Sequence, residues 1–198
     1  MRRLNKISNP VKKILFLGYD ENQTTIIKPC INYNCLVDHT EKKVSGDEKY
    51  DLIISYGYRH ILKKEIIKKF NCPILNLHIS YLPYNRGSHP NFWAFYDSTP
   101  IGVTIHLLDD GIDTGPIVFQ KKVKFKKSEN TFKKTYNVLK SEIEKLFLDN
   151  LDSILSGNLI AYKQKGEGSF HYKKDLPSNF NGWESVIVEE IKRLKYLN

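Results

Sequence analysis

The sequence predicts an α/β domain on a largely parallel sheet, and three observations carry that expectation. Short apolar runs suited to buried strands recur along the chain. Stretches with apolar residues at helical spacing fall between several of them. The alternation is interrupted by no internal repeat and no low-complexity segment. A chain of 198 residues is the usual size of one domain, large enough to bury an ordinary core.

Residues 12–18 (KKILFLG) read as the first buried strand, ended by Gly18. In a dinucleotide-binding fold a GxGxxG turn would follow. The chain instead runs Gly18-Tyr19-Asp20-Glu21-Asn22, one glycine and two acids. That is poor chemistry for cradling phosphate and argues against a nicotinamide cofactor. Residues 34–38 (NCLVD) read as a short second strand, with room before it for a short helix at most. Residues 40–49 are polar and turn at Ser45-Gly46-Asp47. Residues 51–55 form the next buried strand, and Ile61, Leu62, Ile66, Ile67 and Phe70 then recur at helical spacing among lysines. The turn between them, Tyr56-Gly57-Tyr58-Arg59, falls at the carboxyl end of a strand, where open parallel sheets place ligands.

Residues 73–78 read as the third core strand. A loop rich in Pro, Asn, Gly and aromatics spans 81–91, and residues 90–97 suit a short helix buried through Phe92, Trp93 and Phe95. Ser98-Thr99-Pro100 breaks it, residues 101–108 form another strand, and residues 109–116 (DDGIDTGP) make a tight loop before a strand at 117–125. Ser128 is the expected cap of a long helix carrying Phe132, Tyr136, Leu139, Ile143, Leu146, Leu151 and Ile154, with Gly157 as its stop. A polar, glycine-bearing stretch covers 163–181, and Val186, Ile187, Ile191 and Leu194 mark a terminal amphipathic helix. Residues 161–198 are too few for a second domain and are expected to form an appendage packed on the domain of residues 1–160.

Composition narrows the function classes. With 40% hydrophobic and 27% charged residues the chain has a soluble, globular make-up, and its longest apolar runs fall far short of a membrane span. The apolar run after the basic N-terminus is too short for a signal segment. Cys30, Cys35 and Cys72 are irregularly spaced, which suggests free thiols and a cytoplasmic location. A net charge of +9 favours anionic partners or, equally, a lysine-rich solvated surface. Around residues 121–127 lysines alternate with Val123 and Phe125, as on the exposed face of a strand; no RNA- or DNA-binding motif accompanies them, so nucleic acid is not an expected partner.

Three side chains stand out for chemistry. Asn76 and His78 sit at i and i+2 in an apolar run, so on a strand they share one face. Asp113 closes a Gly-bounded turn after a second apolar run. An amide donor, an imidazole and a carboxylate on adjacent strand ends are the parts needed for acyl transfer through a tetrahedral intermediate. Taken singly, Asn76 and His78 suit a strand-end polar pair that satisfies loop backbone. A His₂-carboxylate metal set of His78, His106 and Asp113 is a further arrangement, although His106 sits mid-strand and suits a structural support.

The ordered run Asn76-Leu77-His78, Leu82-Pro83, Arg86-Gly87, then His106 and, seven residues on, Asp113 resembles the 10-formyltetrahydrofolate-dependent formyltransferases. The resemblance is strongest over residues 51–120. It implies a single Rossmann-like formyltransferase domain and catalysis by Asn76, His78 and Asp113, with no metal. It also implies a pterin pocket at Tyr58, Arg59, Ile61 and Leu62 and at Asp109, Asp110, Gly111 and Ile112. The loop beside His78 offers Tyr81, Tyr84, Arg86 and His89 to the acceptor, with flat faces and an anion-binding fork. His171 in the tail either touches substrate or faces solvent.

Three acceptors compete within the family. Glycinamide ribonucleotide enzymes carry a glycine-rich loop where this chain has Tyr19-Asp20-Glu21, and methionyl-tRNA enzymes carry an added C-terminal domain. Sugar N-formyltransferases resemble the chain best, so the expected acceptor is a nucleotide-linked amino sugar, with a homodimer allowed for. A 10-formyltetrahydrofolate hydrolase and a non-enzymatic folate-binding module are the alternatives.

Overall fold

Nine strands and six α-helices are set out in the computed structural model, which describes residues 1–196. The strands are β1 (Arg2–Arg3), β2 (Lys13–Gly18), β3 (Leu36–Thr40), β4 (Leu52–Tyr56), β5 (Ile74–His78), β6 (Arg86–Gly87), β7 (Gly102–Leu107), β8 (Ile117–Lys122) and β9 (Phe170–His171). The helices are α1 (Ile27–Asn32), α2 (Lys64–Phe70), α3 (Pro90–Tyr96), α4 (Phe132–Asp149), α5 (Leu151–Ser156) and α6 (Ile187–Tyr196). Seven strands form one sheet in the order β1-β3-β2-β4-β5-β7-β8.

The sheet is mixed. Its centre, β3-β2-β4-β5, is parallel, as the alternation of strands and helices predicts. The flanks are antiparallel: β1 against β3, and β7 and β8 beyond β5. Between β7 and β8 the reason is connection length. Residues 108–116 are fewer than the roughly dozen that a parallel crossover needs.

The parallel strands read as unbroken apolar runs because both faces are covered. Ile14, Phe16, Ile54 and Leu75 pack with Leu139, Ile143 and Phe147 of α4 on one side. Leu15, Leu17 and Ile53 pack with Phe70 and with Ile66 and Ile67 of α2 on the other. A separate cluster of Phe92, Trp93, Phe132, Ile187 and Leu194 joins α3, the start of α4 and α6. Among the described residues no helix is long and apolar enough to cross a membrane.

Several boundaries differ from the sequence reading. Strand β3 runs two residues further along than residues 34–38. Helix α2 begins at Lys64, which leaves Ile61 and Leu62 in the preceding turn. The cap of α4 is Thr131, whose hydroxyl accepts from Lys134 N at 3.3 Å, rather than Ser128. Thr131 is extended and bridges to Val186, so the tail fixes where the helix can start. The long helix also breaks at Asn150, whose Nδ2 donates to Leu146 O at 2.8 Å and competes with the helical ladder. Gly157 ends α5 in the left-handed conformation, as expected.

After α5 the chain turns back across the molecule. Tyr162 pairs with Ile117 through two backbone bonds of 2.8 and 3.0 Å. Residues 169–171 then line up beside β6, forming a parallel two-stranded sheet that pairs Arg86 with Phe170 and Gly87 with His171. This second sheet lies against the carboxyl ends of the central strands. The expected appendage extends to residue 198, and its last two positions lie outside the described residues.

Candidate active site

Strand pairing builds the floor of the site. The antiparallel register of β5 and β7 sets Asn76 opposite His106 and His78 opposite Thr104. Asp113 arrives from the β7–β8 loop in the left-handed conformation, φ 53°. Its Oδ1 accepts from Asn76 Nδ2 at 3.2 Å and lies 3.5 Å from His106 Nε2. Its Oδ2 accepts from Gly87 N at 2.9 Å and lies 3.7 Å from His78 Nε2. The three side chains singled out in the sequence therefore meet.

The fourth member is His106, which is fully buried. Its Nδ1 lies 2.9 Å from Leu107 O and its Nε2 3.1 Å from Asn76 Nδ2. With the proton on Nδ1, the ring donates to Leu107 O and accepts from Asn76. A protonated ring would instead donate to Asp113. The structural support expected of His106 is thus an orienting contact on Asn76. Among the described residues no group of three or more His, Cys, Asp or Glu side chains is disposed to hold a metal ion.

Burial by itself would raise the Asp113 carboxyl. Attraction to His78, the contacts with His106 and the Gly87 N–H outweigh it and hold the group well below the usual carboxylate range. Asp113 is therefore a fixed anion and a weak base. His78, buried beside it, has its Nε2 3.1 Å from Asn85 O, which fixes the proton on that nitrogen and orients the ring.

These groups lie at the floor of a cleft of about 440 Å³. Tyr58, Arg59, Ile61 and Leu62 line it, as do Asp109, Gly111 and Ile112. Asp110 is not part of the lining; its carboxylate takes Lys64 Nζ at 2.5 Å on the outer surface. Asp109 organises the loop itself, accepting from Gly111 N at 3.1 Å and from Thr114 Oγ1 at 2.6 Å.

The loop residues offered to an acceptor are placed differently. Tyr81, Tyr84, Arg86 and His89 lie outside the cleft lining. Lys122 sits over the Tyr81 ring at 5.3 Å, and the Tyr84 carbonyl accepts from the Ser80 hydroxyl. The His89 ring packs at a tilt against Trp183, with 5.3 Å between ring centres. The Arg86 fork is occupied by Gln164 Oε1, with Nε at 3.1 Å and Nη2 at 2.7 Å. A polar side chain from the tail thus meets the charge that the isolated loop sequence leaves free.

Other residues take that wall. Ser88, Pro90 and the tail residues Phe170, His171, Tyr172 and Lys173 line the cleft, together with Tyr19 and Tyr136. His171 stacks flat on Trp93 at 3.9 Å and binds Asp97 Oδ2 at 2.8 Å. The Tyr19 and Tyr136 hydroxyls are 2.8 Å apart. Tyr19 was findable, because it follows the first strand at its carboxyl end. Tyr136 counts toward the apolar stripe of α4 by spacing, and nothing local distinguishes it.

An amide, an imidazole and a mostly enclosed carboxylate at adjacent strand ends, under an aromatic cleft in an α/β fold, are the parts that an acyl-type group transfer needs. Comparison with known proteins makes the class specific. A family model described as formyl transferase matches residues 21–151, and the chain belongs to that family. A dTDP-4-amino-4,6-dideoxyglucose formyltransferase of Mycobacterium bovis is 31% identical over 139 residues, covering 70% of this chain and 58% of the relative. A methionyl-tRNA formyltransferase of Thermodesulfovibrio yellowstonii is 34% identical over 142 residues, covering 68% of this chain and 44% of the relative. The chain thus spans roughly half the length of these curated relatives. The crystal structure of the formyltransferase PseJ from Anoxybacillus kamchatkensis, in complex with UDP-4,6-dideoxy-4-formamido-L-AltNAc and tetrahydrofolate, superposes with a TM-score of 0.82 at 36% identity. It covers 89% of this chain and 96% of that one.

Proposed function

We propose that this protein transfers the formyl group of 10-formyltetrahydrofolate to the amine of a nucleotide-linked amino sugar. The observation that carries the proposal is the meeting of Asn76, His78 and Asp113 at the floor of the cleft. The near end-to-end likeness to a sugar formyltransferase structure, covering 96% of that chain, supports the sugar acceptor. Lys173 on the cleft lining suits a diphosphate.

In this reading the acceptor amine attacks the formyl carbon. A C–N bond forms, negative charge gathers on the formyl oxygen, and the bond to the folate nitrogen then breaks. Asn76 Nδ2 donates to that oxygen by giving up its 3.1 Å contact with His106 Nε2 or its 3.2 Å contact with Asp113 Oδ1. The proton leaving the amine passes to the folate nitrogen, with His78 as carrier. Asp113, held ionised, orients His78 and stabilises its charged form instead of taking the proton itself. The folate lies against Tyr58–Leu62 and against Asp109, Gly111 and Ile112, and the sugar against Ser88 and residues 170–173.

The test is incubation with 10-formyltetrahydrofolate and dTDP-4-amino-4,6-dideoxyglucose or a UDP-linked 4-amino sugar. Tetrahydrofolate and N-formyl sugar should accumulate together. Formate release independent of any amine would make the protein a hydrolase. Formylation of methionyl-tRNA, with affinity falling steeply in salt, would replace the sugar by an RNA acceptor.

A further inference from the structure

One side chain of the tail, Gln164, is hydrogen-bonded to the loop that carries Asp113. Gln164 Nε2 donates to Asp113 O and to Gly115 O, each at 2.8 Å. Gln164 Oε1 accepts from Arg86 Nε at 3.1 Å and from Arg86 Nη2 at 2.7 Å. Both N–H donors and both lone pairs of the amide are engaged. A carboxylate could not donate to the carbonyls, and an ammonium could not accept from the guanidinium.

These bonds close a ring around Asp113. Its main-chain carbonyl is held by Gln164, Gln164 is held by Arg86, and the next residue, Gly87, donates its N–H to the Asp113 carboxylate at 2.9 Å. The neighbouring amides of Arg86 and Ser88 face the other way, to Ser169 O and His171 O at 2.9 Å each. The Gly87 N–H is thereby free to face the loop. Asp113 itself is left-handed, a conformation a non-glycine residue keeps only when its surroundings impose it. At Gly115 a Cβ would lie 1.8 Å from Leu107 O, so the loop backbone packs directly against the end of β7 with no room for a side chain.

We propose that Gln164 is a positioning residue for the reaction at Asp113. It fixes the backbone of Asp113 and Gly115 against Arg86, and so sets the distance from the carboxylate to His78 and Asn76. The role rests on the formyl-transfer reading of the site, and it makes the tail a part of the catalytic apparatus.

Gln164→Glu separates positioning from stability. It keeps the acceptor for Arg86, now as an ion pair, and removes both donors to the loop. The expected result is a folded enzyme with its melting temperature near wild type. Its kcat should fall by about tenfold or more, with KM for 10-formyltetrahydrofolate changed less than about threefold. The Gly87 amide should exchange with solvent at least about tenfold faster, because its acceptor has moved. Gln164→Met, similar in size and without these bonds, gives the same readouts should the glutamate variant not fold.

Wild-type kcat and wild-type Gly87 exchange in either folded variant would overturn the proposal. Asp113→Asn assayed alongside, with the dTDP-linked amino sugar, keeps the two ideas apart. Full activity in Asp113→Asn would end the catalytic reading of the site. The exchange measurement would still decide whether Gln164 holds the loop.

Discussion

The two walls of the cleft are built differently. One is made of Tyr58–Leu62 and the loop at residues 109–112, and it leaves apolar side chains open: Ile61 is 76% exposed and Ile112 37%. The other, made of Gly87, Ser88, Pro90 and residues 170–173, is knitted by a small sheet and by the flat stack of His171 on Trp93. The same contrast separates two carboxylates three positions apart. Asp110 pairs with Lys64 in solvent, and Asp113, its side chain only 12% exposed, is held by several contacts. An exchangeable ligand needs apolar surface left open, whereas reacting groups must be held from several directions at once.

The largest expected effect comes from exchanging that treatment of charge. Asp113→Asn should lower kcat by about two orders of magnitude or more in a folded protein, as loss of a group acting in the transition state does. Asp110→Asn should stay within about twofold, since an exposed pair contributes little. Steady-state rates for both variants check the comparison, and equal losses would dissolve it.

Gly87→Ala strikes the knitted wall. Gly87 has φ 86°, and a Cβ there would lie 2.4 Å from His171 O, a backbone atom. The left-handed conformation alone costs an alanine about 1–2 kcal/mol. A melting temperature lower by about 4 °C or more is expected, with a parallel loss of activity. Thermal denaturation of the variant checks this.

Acid should separate the two carboxylates more gently. The folded Asp113 carboxyl lies below its unfolded value of about 3.9, so its contribution to stability is complete above that pH. It is lost as pH falls towards the folded value. Urea midpoints of wild type should therefore drop below about pH 4 more steeply than those of Asp113→Asn, and the two curves should converge in acid. Parallel curves would mean that the carboxyl is not held down.

The smallest effect is expected at the open wall. Ile61→Ala should leave stability within about 0.5 kcal/mol, because the side chain is mostly in solvent. It should raise KM for the folate donor by a few-fold, with kcat unchanged. Isothermal titration with tetrahydrofolate gives an independent measure.

Much of this was legible in local pattern. Strands β2, β4 and β5 are unbroken apolar runs, and Asn76 and His78 interrupt β5 with the period of a strand face. The turn after β4 and the loop before β8 are marked by glycine, and both reach the cleft. Helix starts were less legible: Ser128 has the chemistry of a cap, yet Thr131 serves because Val186 bridges to it. Ile61 has helical spacing but stays in a turn, open to the cleft.

By itself the sequence determined which segments are buried and which polar groups sit at strand ends, because burial and side-chain direction repeat every two or about 3.6 residues. Tertiary structure alone decided what faces those groups. Arg86 looks like a free anion fork in its loop and is instead held by a glutamine 78 residues away. That same glutamine reaches the Asp113 carbonyl across 51 residues. Phe170 and His171 become a cleft wall only because Arg86 and Gly87 offer them a strand to pair with. Contacts between distant segments are set by backbone hydrogen bonding and packing in space, and they leave no period along the chain to be read.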